Sequence, residues 1–199
     1  MFFEELLKFM RKTSDSVRGG YHIKHDESTQ RLKGEYHIVL RDAATGRIID
    51  ERKNHNLIVN AASILIARLL KDSKEPSAGI SYLAVGTGGP SWNLQNPPQP
   101  TNVQTELFNE IARKAFTTPD VYFVDPTTGN PTVTPTNVVD YTVTFAETEA
   151  VGALVEMSLF GGDAGDYPGS GDSMINYRTF PVINKTNSMT LTITFRITA

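Results

Sequence analysis

Glu147, Glu149 and Glu156 are the carboxylates that sugar hydrolysis would draw on, since a glycosidase sets one acid on each side of the bond it breaks. Acids are common in a chain with 22 Asp and Glu, and nothing in this spacing sets two across a cleft. Asp163, Asp166 and Asp172 lie in a glycine-rich stretch, and several oxygens on a flexible loop are what calcium needs. Their spacing matches neither an EF-hand nor a glycine-rich nonapeptide repeat, so they read as solvated loop acids. His22, His25, His37 and His55 are scattered, with neither helical HExxH spacing nor the i, i+2 spacing of a strand. Gly86-Thr87-Gly88-Gly89 resembles a phosphate loop only in glycine content. Pro90-Ser91-Trp92 follows where a Walker loop needs Lys and Ser/Thr, and the third glycine of a dinucleotide fingerprint is missing. These glycines instead suit positive φ at a strand exit. No Gly-x-Ser-x-Gly elbow occurs, and with no cysteine there is neither a thiol nucleophile nor a thiolate metal site. The expectation is a chain that is not an enzyme, with no catalytic residue, no bound metal and no cofactor.

Two further groups suit recognition better than catalysis. Glu110 and Arg113 flank an apolar run and are expected to form a structural ion pair, because a guanidinium can grip a carboxylate through two parallel hydrogen bonds. Trp92, with Tyr167 and Tyr177, stands near loops where aromatic rings could stack on sugars, which makes Trp92 a candidate glycan contact.

The elements that would carry these residues are mostly strands. Met189, Leu191, Ile193, Phe195 and Ile197 alternate with Thr190, Thr192, Thr194, Arg196 and Thr198, the period of a strand with one buried and one wet face. Val139, Tyr141, Val143 and Phe145 repeat the pattern, and residues 82–85, 121–124, 154–160 and 175–183 read as further strands. Tyr36, Ile38 and Leu40, a turn at 42–46 and an extended run at 47–52 read as a hairpin. From Asn60 to Lys71 the period changes: Ala61, Ile64, Leu65, Arg68 and Leu69 recur at helical spacing. Residues 107–116 fit a helix and a strand equally well. Phe3, Leu6, Leu7 and Met10 place an apolar stripe on a short N-terminal helix. Such a helix is marginal alone in water and gains stability only by docking, so the stripe is expected to act as an assembly arm. The reading is a mainly β chain: residues 1–30 as helical arm and linker, and 31–199 as an antiparallel β-sandwich or jelly-roll-like domain with one internal helix.

Composition narrows the partners. A net charge of −3 and a pI near 5.8 lack the clustered basic surface of a nucleic-acid binder. No apolar run approaches the roughly 18 residues that cross a membrane, and the start lacks the basic and apolar regions of a signal peptide. Neither nucleic acid nor membrane is expected as a partner.

The ordered series Asn56-Leu57-Ile58-Val59-Asn60, an apolar helix, Leu83-Ala84-Val85-Gly86-Thr87-Gly88, Thr105-Glu106-Leu107-Phe108-Asn109-Glu110-Ile111-Ala112-Arg113, Leu159-Phe160-Gly161 and Phe180-Pro181-Val182-Ile183-Asn184-Lys185 resembles small tailed-phage virion proteins. These are often called tail, baseplate or fibre-associated. The Trp92 region, rich in proline, and the N-terminal helix depart from that pattern. The resemblance implies a structural virion component, assembled in the host cytoplasm, that forms a homo-oligomer and contacts other virion proteins at the tail, baseplate or fibre base. A capsid decoration (cement) protein and a host-glycan-binding module are the alternatives.

Overall fold

Residues whose side chains alternate between oil and water pair into ladders, because each strand can then bury one face and satisfy its backbone sideways. The computed structural model describes residues 32–71, 78–165 and 172–199. The arm residues Phe3, Leu6, Leu7 and Met10, and the boundary near residue 30, fall outside that range. In chain order the elements are β1 (Lys33–Asp42), β2 (Ile48–Ile58), α1 (Asn60–Lys71), β3 (Ala78–Gly86), β4 (Glu110–Ala115), β5 (Val121–Val124), β6 (Pro131–Thr132), β7 (Val138–Phe145), β8 (Gly152–Gly162), β9 (Asp172–Met174), β10 (Asn176–Lys185) and β11 (Met189–Thr198).

All the pairings are antiparallel, in the order β4-β3-β8-β10-β2-β1-β11-β7-β5-β6, with β9 on β8. The two halves of this sheet share a narrow hinge. Asn176 and Tyr177 of β10 pair with Ile58 and Leu57 of β2, while Arg178 and the residues after it pair with β8. One buried cluster draws Tyr36, Ile38, Phe145, Ile193 and Phe195 from one half and Leu83, Leu154, Met157, Leu159 and Ile183 from the other. The sheet therefore folds over on itself, and the chain is mainly β with a sandwich core. A second, smaller cluster on the outer side of the β3–β8 half gathers Val59, Leu107, Phe160, Met174 and Tyr177.

Three local outcomes go beyond the sequence pattern. Strand β2 runs past Arg52 to Ile58 through the polar stretch Lys53-Asn54-His55-Asn56, because each of these residues has a ladder partner between Gly34 and His37 on β1. Residues 110–115 are strand. Ala112 and Phe116 pack on the main core, and β3 supplies the pairing that apolar spacing alone could not announce. Helix α1 occupies its expected span, yet it buries Ala62 and Leu65 and leaves Ile64 62 % and Leu69 43 % exposed. Its start is fixed by Val59 N–H donating to Ile175 O and Asn60 N–H donating to Asn102 O, and the side turned inward is the one with Ala62 and Leu65.

A carboxylate bound into a loop

Strand β8 carries one acid in an otherwise apolar run, Leu154-Val155-Glu156-Met157, and Glu156 is fully buried. A buried carboxylate is costly unless donors fill its lone pairs. Here four do. Gly88 N–H (3.0 Å) and Asn109 N–H (2.9 Å) donate to Oε1, while Phe108 N–H (3.1 Å) and the Tyr177 hydroxyl (2.9 Å) donate to Oε2. Burial, with the Glu156 carboxylate beside it, pushes the Tyr177 phenol far above its ordinary range, so the hydroxyl keeps its proton and remains a donor. With every lone pair engaged, Glu156 is built to hold backbone in place, and it has no free oxygen to offer a substrate.

What it holds are the two ends of the long 86–109 connection. Thr87 N–H donates to Asn109 O (2.9 Å), and Asn109 Nδ2 donates to Thr87 Oγ1 (2.6 Å), closing the loop neck above the carboxylate. Further along, Val182 N–H of β10 donates to Leu94 O (2.8 Å) and Thr179 Oγ1 to Pro98 O (2.7 Å), so the loop lies along β10. Long connections of this kind inside a domain usually carry function, and this one is pinned along its length.

The pinned loop presents an aromatic pair. Trp92 and Phe108 meet edge to face with ring centroids 4.8 Å apart, beside an open hollow of about 470 Å³ lined also by Thr87, Pro90, Leu94 and Asn109. The indole rests against glycine backbone, since a Cβ on Gly88 would stand 2.4 Å from Trp92 Cε3 and one on Gly89 2.7 Å from its Nε1. Gly88 also has φ +71°, a conformation in which a side chain is strained. Gly88→Ala is therefore expected to cost about 2–3 kcal/mol by combining strain with overpacking. Gly46→Ala, at the same φ of +71° with open space around it, should cost only about 1 kcal/mol. Urea unfolding of the two variants measures the difference. Phe108 is 58 % exposed, and two apolar side chains near it, Leu94 in the same hollow and Ile111 close to Thr87, are exposed as well.

Glu110 and Arg113 sit at the edge of the same region. Arg113 Nε donates to Glu110 Oε1 (2.7 Å) and Nη2 to Oε2 (2.9 Å), with both side chains almost wholly buried. Residues three apart on a regular strand face opposite ways. A bulge resolves this: Gly86 pairs with Glu110 while Val85 pairs with Ala112, so Ile111 is an extra residue that returns Glu110 to the face of Arg113. The guanidinium also lies 4.3 Å from the centroid of the Phe160 ring.

The remaining candidates do not converge. Tyr177 is buried with its hydroxyl on Glu156, which removes it as a sugar platform, and Tyr167 lies outside the described residues. Glu149 accepts from Lys114 Nζ and Ala146 N–H and closes a turn, well occupied by structural partners. Asp163 is exposed, Asp166 is outside the described residues, and no three metal-binding side chains gather among the described ones. The residue that sequence reasoning undervalued is Glu156. Its signal was available: a lone acid in an apolar strand must find donors or lose its charge.

A family model described as a baseplate wedge 3 tail fiber network component matches residues 58–157, just over half of the chain. That stretch contains α1, β3, the pinned loop, β4 and Glu156 itself. No curated protein matches the chain.

Proposed function

The chain belongs to the family of baseplate wedge 3 tail fiber network components of tailed phages, and from that premise we propose that it is an assembly subunit whose Trp92–Phe108 patch docks against neighbouring virion proteins. Its role in the phage baseplate and tail is structural, and as a baseplate component it is part of the virion. The observation that supports the docking reading is the treatment of the 86–109 loop. A buried carboxylate with four donors fixes its neck, and its aromatic pair is left partly exposed on that rigid base. Exposed aromatics held in one conformation bind at low entropic cost, which is how interface hot spots are built. The same saturation of Glu156 supports a non-enzymatic role.

The amphipathic stretch with Phe3, Leu6, Leu7 and Met10 supplies a second contact in this reading, since a helix so short gains stability by burying its stripe on a neighbour. Labelling intact particles with an antibody to the chain tests the location. The expected result is label at the tail tip. Label on the heads would replace this reading with capsid decoration, and binding of the isolated chain to host glycans that is lost in Trp92→Ala would favour the glycan module.

A further inference from the structure

The other half of the sheet turns a polar face outward, and its residues fall into straight rows across the strands. Ladder partners in antiparallel strands share a face, so register alone defines each row. His55 of β2 pairs with Glu35 of β1, Glu35 with Arg196 of β11, Arg196 with Asp140 of β7, and Asp140 with Tyr122 of β5. The row reads imidazole, anion, cation, anion, the imidazole being a donor to carboxylates in either protonation state, and Asp140 at its far side is buried. Arg196 Nε and Nη2 donate to Asp140 Oδ1 and Oδ2 at 2.7 and 2.8 Å, and His55 Nδ1 stands 3.6 Å from Glu35 Oε1. Beside this row, Thr194 pairs with Thr142 and Thr192 with Thr144, each pair of hydroxyls 2.9 Å apart. An open hollow of about 720 Å³ runs along this face, lined by Glu35, His37, Lys53, His55, Tyr122 and Arg196.

We propose that this face is a two-fold interface between copies of the chain. Glu35 and Arg196, at the centre of the row, carry opposite charges, and a pair of that kind reversed end to end is its own complement. A two-fold axis running parallel to the strands, between β1 and β11, reverses the row and lays it over itself. Glu35 of one copy then faces Arg196 of the other, twice, while the exposed His55 lies over β7, whose Asp140 is buried and held by Arg196 of its own chain. Closed two-fold contacts require this kind of self-complementary patch. The neighbouring rows set Thr142 over Lys53 and Thr194 over His37, so no like charges meet. A foreign partner would need a matching row of its own, whereas a second copy already has it. The interface is polar and wet, with water filling the paired hollows, and salt weakens it. It lies on the half of the sheet away from Trp92 and Phe108, so it stands or falls independently of that patch.

The absence of cysteine makes the test clean. Thr194→Cys puts a single thiol beside the axis, and a thiol crosslinker about 10 Å long spans two sheets packed face to face. The expected result is a covalent dimer at low salt, reduced about tenfold in 0.5 M salt, and absent for Ser91→Cys in the exposed loop. In the same background, Arg196→Glu and Glu35→Arg should each abolish the crosslink alone, because each then sets like charges face to face. Mixed together, the two variants restore it, since the row of one becomes the full complement of the other. A merely structural defect would not be rescued by mixing. Equal crosslinking of Thr194→Cys and Ser91→Cys, or no rescue from a mixture of two variants that melt like the parent chain, overturns the proposal.

Discussion

Glu156→Gln is expected to lower the stability of the β-domain by about 3 kcal/mol and its melting temperature by about 6–12 °C. Glutamine keeps the size and loses half the acceptors. Its carbonyl can serve one pair of donors, either Gly88 and Asn109 or Phe108 and Tyr177. Its NH₂ group then points at the other pair, and at least one backbone N–H is left buried without an acceptor. Each such orphan costs on the order of 1–3 kcal/mol. Glu156→Ala should be worse, because it orphans all four donors and leaves a cavity. The loss has a local signature too. Trp92 is the sole tryptophan, so its emission reports the loop directly. A red shift in Glu156→Gln at temperatures where far-ultraviolet dichroism remains β-like is the expected outcome. Unchanged melting and unchanged emission would mean that the carboxylate does not hold the loop.

Phe108→Ser is expected to do the reverse: little change in stability and a large loss of assembly. Phe108 is 58 % exposed, so its truncation leaves the core intact, and the melting temperature should stay within about 2 °C of the parent. If the pair with Trp92 is an interface hot spot, the truncation costs about 2 kcal/mol of binding, near thirtyfold in affinity. Supplying the variant to a phage that lacks the protein, then measuring its copy number in purified particles, reads this out. Normal incorporation of a correctly folded Phe108→Ser chain would remove the patch from the assembly account. The two experiments separate cause from consequence. Glu156→Gln should weaken assembly only as far as it loosens the loop, and Phe108→Ser should weaken it with the loop in place.

The self-association face adds a different kind of contact. The aromatic patch offers area and rigidity; the charged row offers register, since only one orientation matches plus to minus. A baseplate component that meets a neighbour through one surface and its own copy through the other can help to build a closed array. Closure requires only that each contact be specific, and neither needs to be strong when copies are held close together.

Much of the fold was legible along the chain, and the reason is local. Alternation in Met189–Thr198 and Val138–Phe145 is a property of neighbouring residues, and it forces a strand with one wet face wherever it occurs. The same logic located α1 by its change of period. It stumbled where pairing, not hydropathy, decides the state. Lys53-Asn54-His55-Asn56 is strand only because β1 lies alongside, and residues 110–115 are strand only because β3 does. Helical spacing alone does not say which side of α1 is buried, because hydrogen bonds from Val59 and Asn60 to distant carbonyls hold the start of the helix. Glu110 and Arg113 were recognisable as partners by type, yet a bulge that no residue type announces puts them on one face.

Residue types and their periods are enough for a thiol-free, acidic, mainly β chain with an internal helix at Asn60–Lys71, and the residues of every contact above stand in the sequence. Which of those residues meet depends on the folded chain. Glu156 gathers backbone donors 47, 48 and 68 residues away, and the charged row needs four strands in one register. Backbone N–H groups are the same at every residue, so no pattern of side chains marks the ones a carboxylate will find. Folding brings them together, and the site exists only once it has.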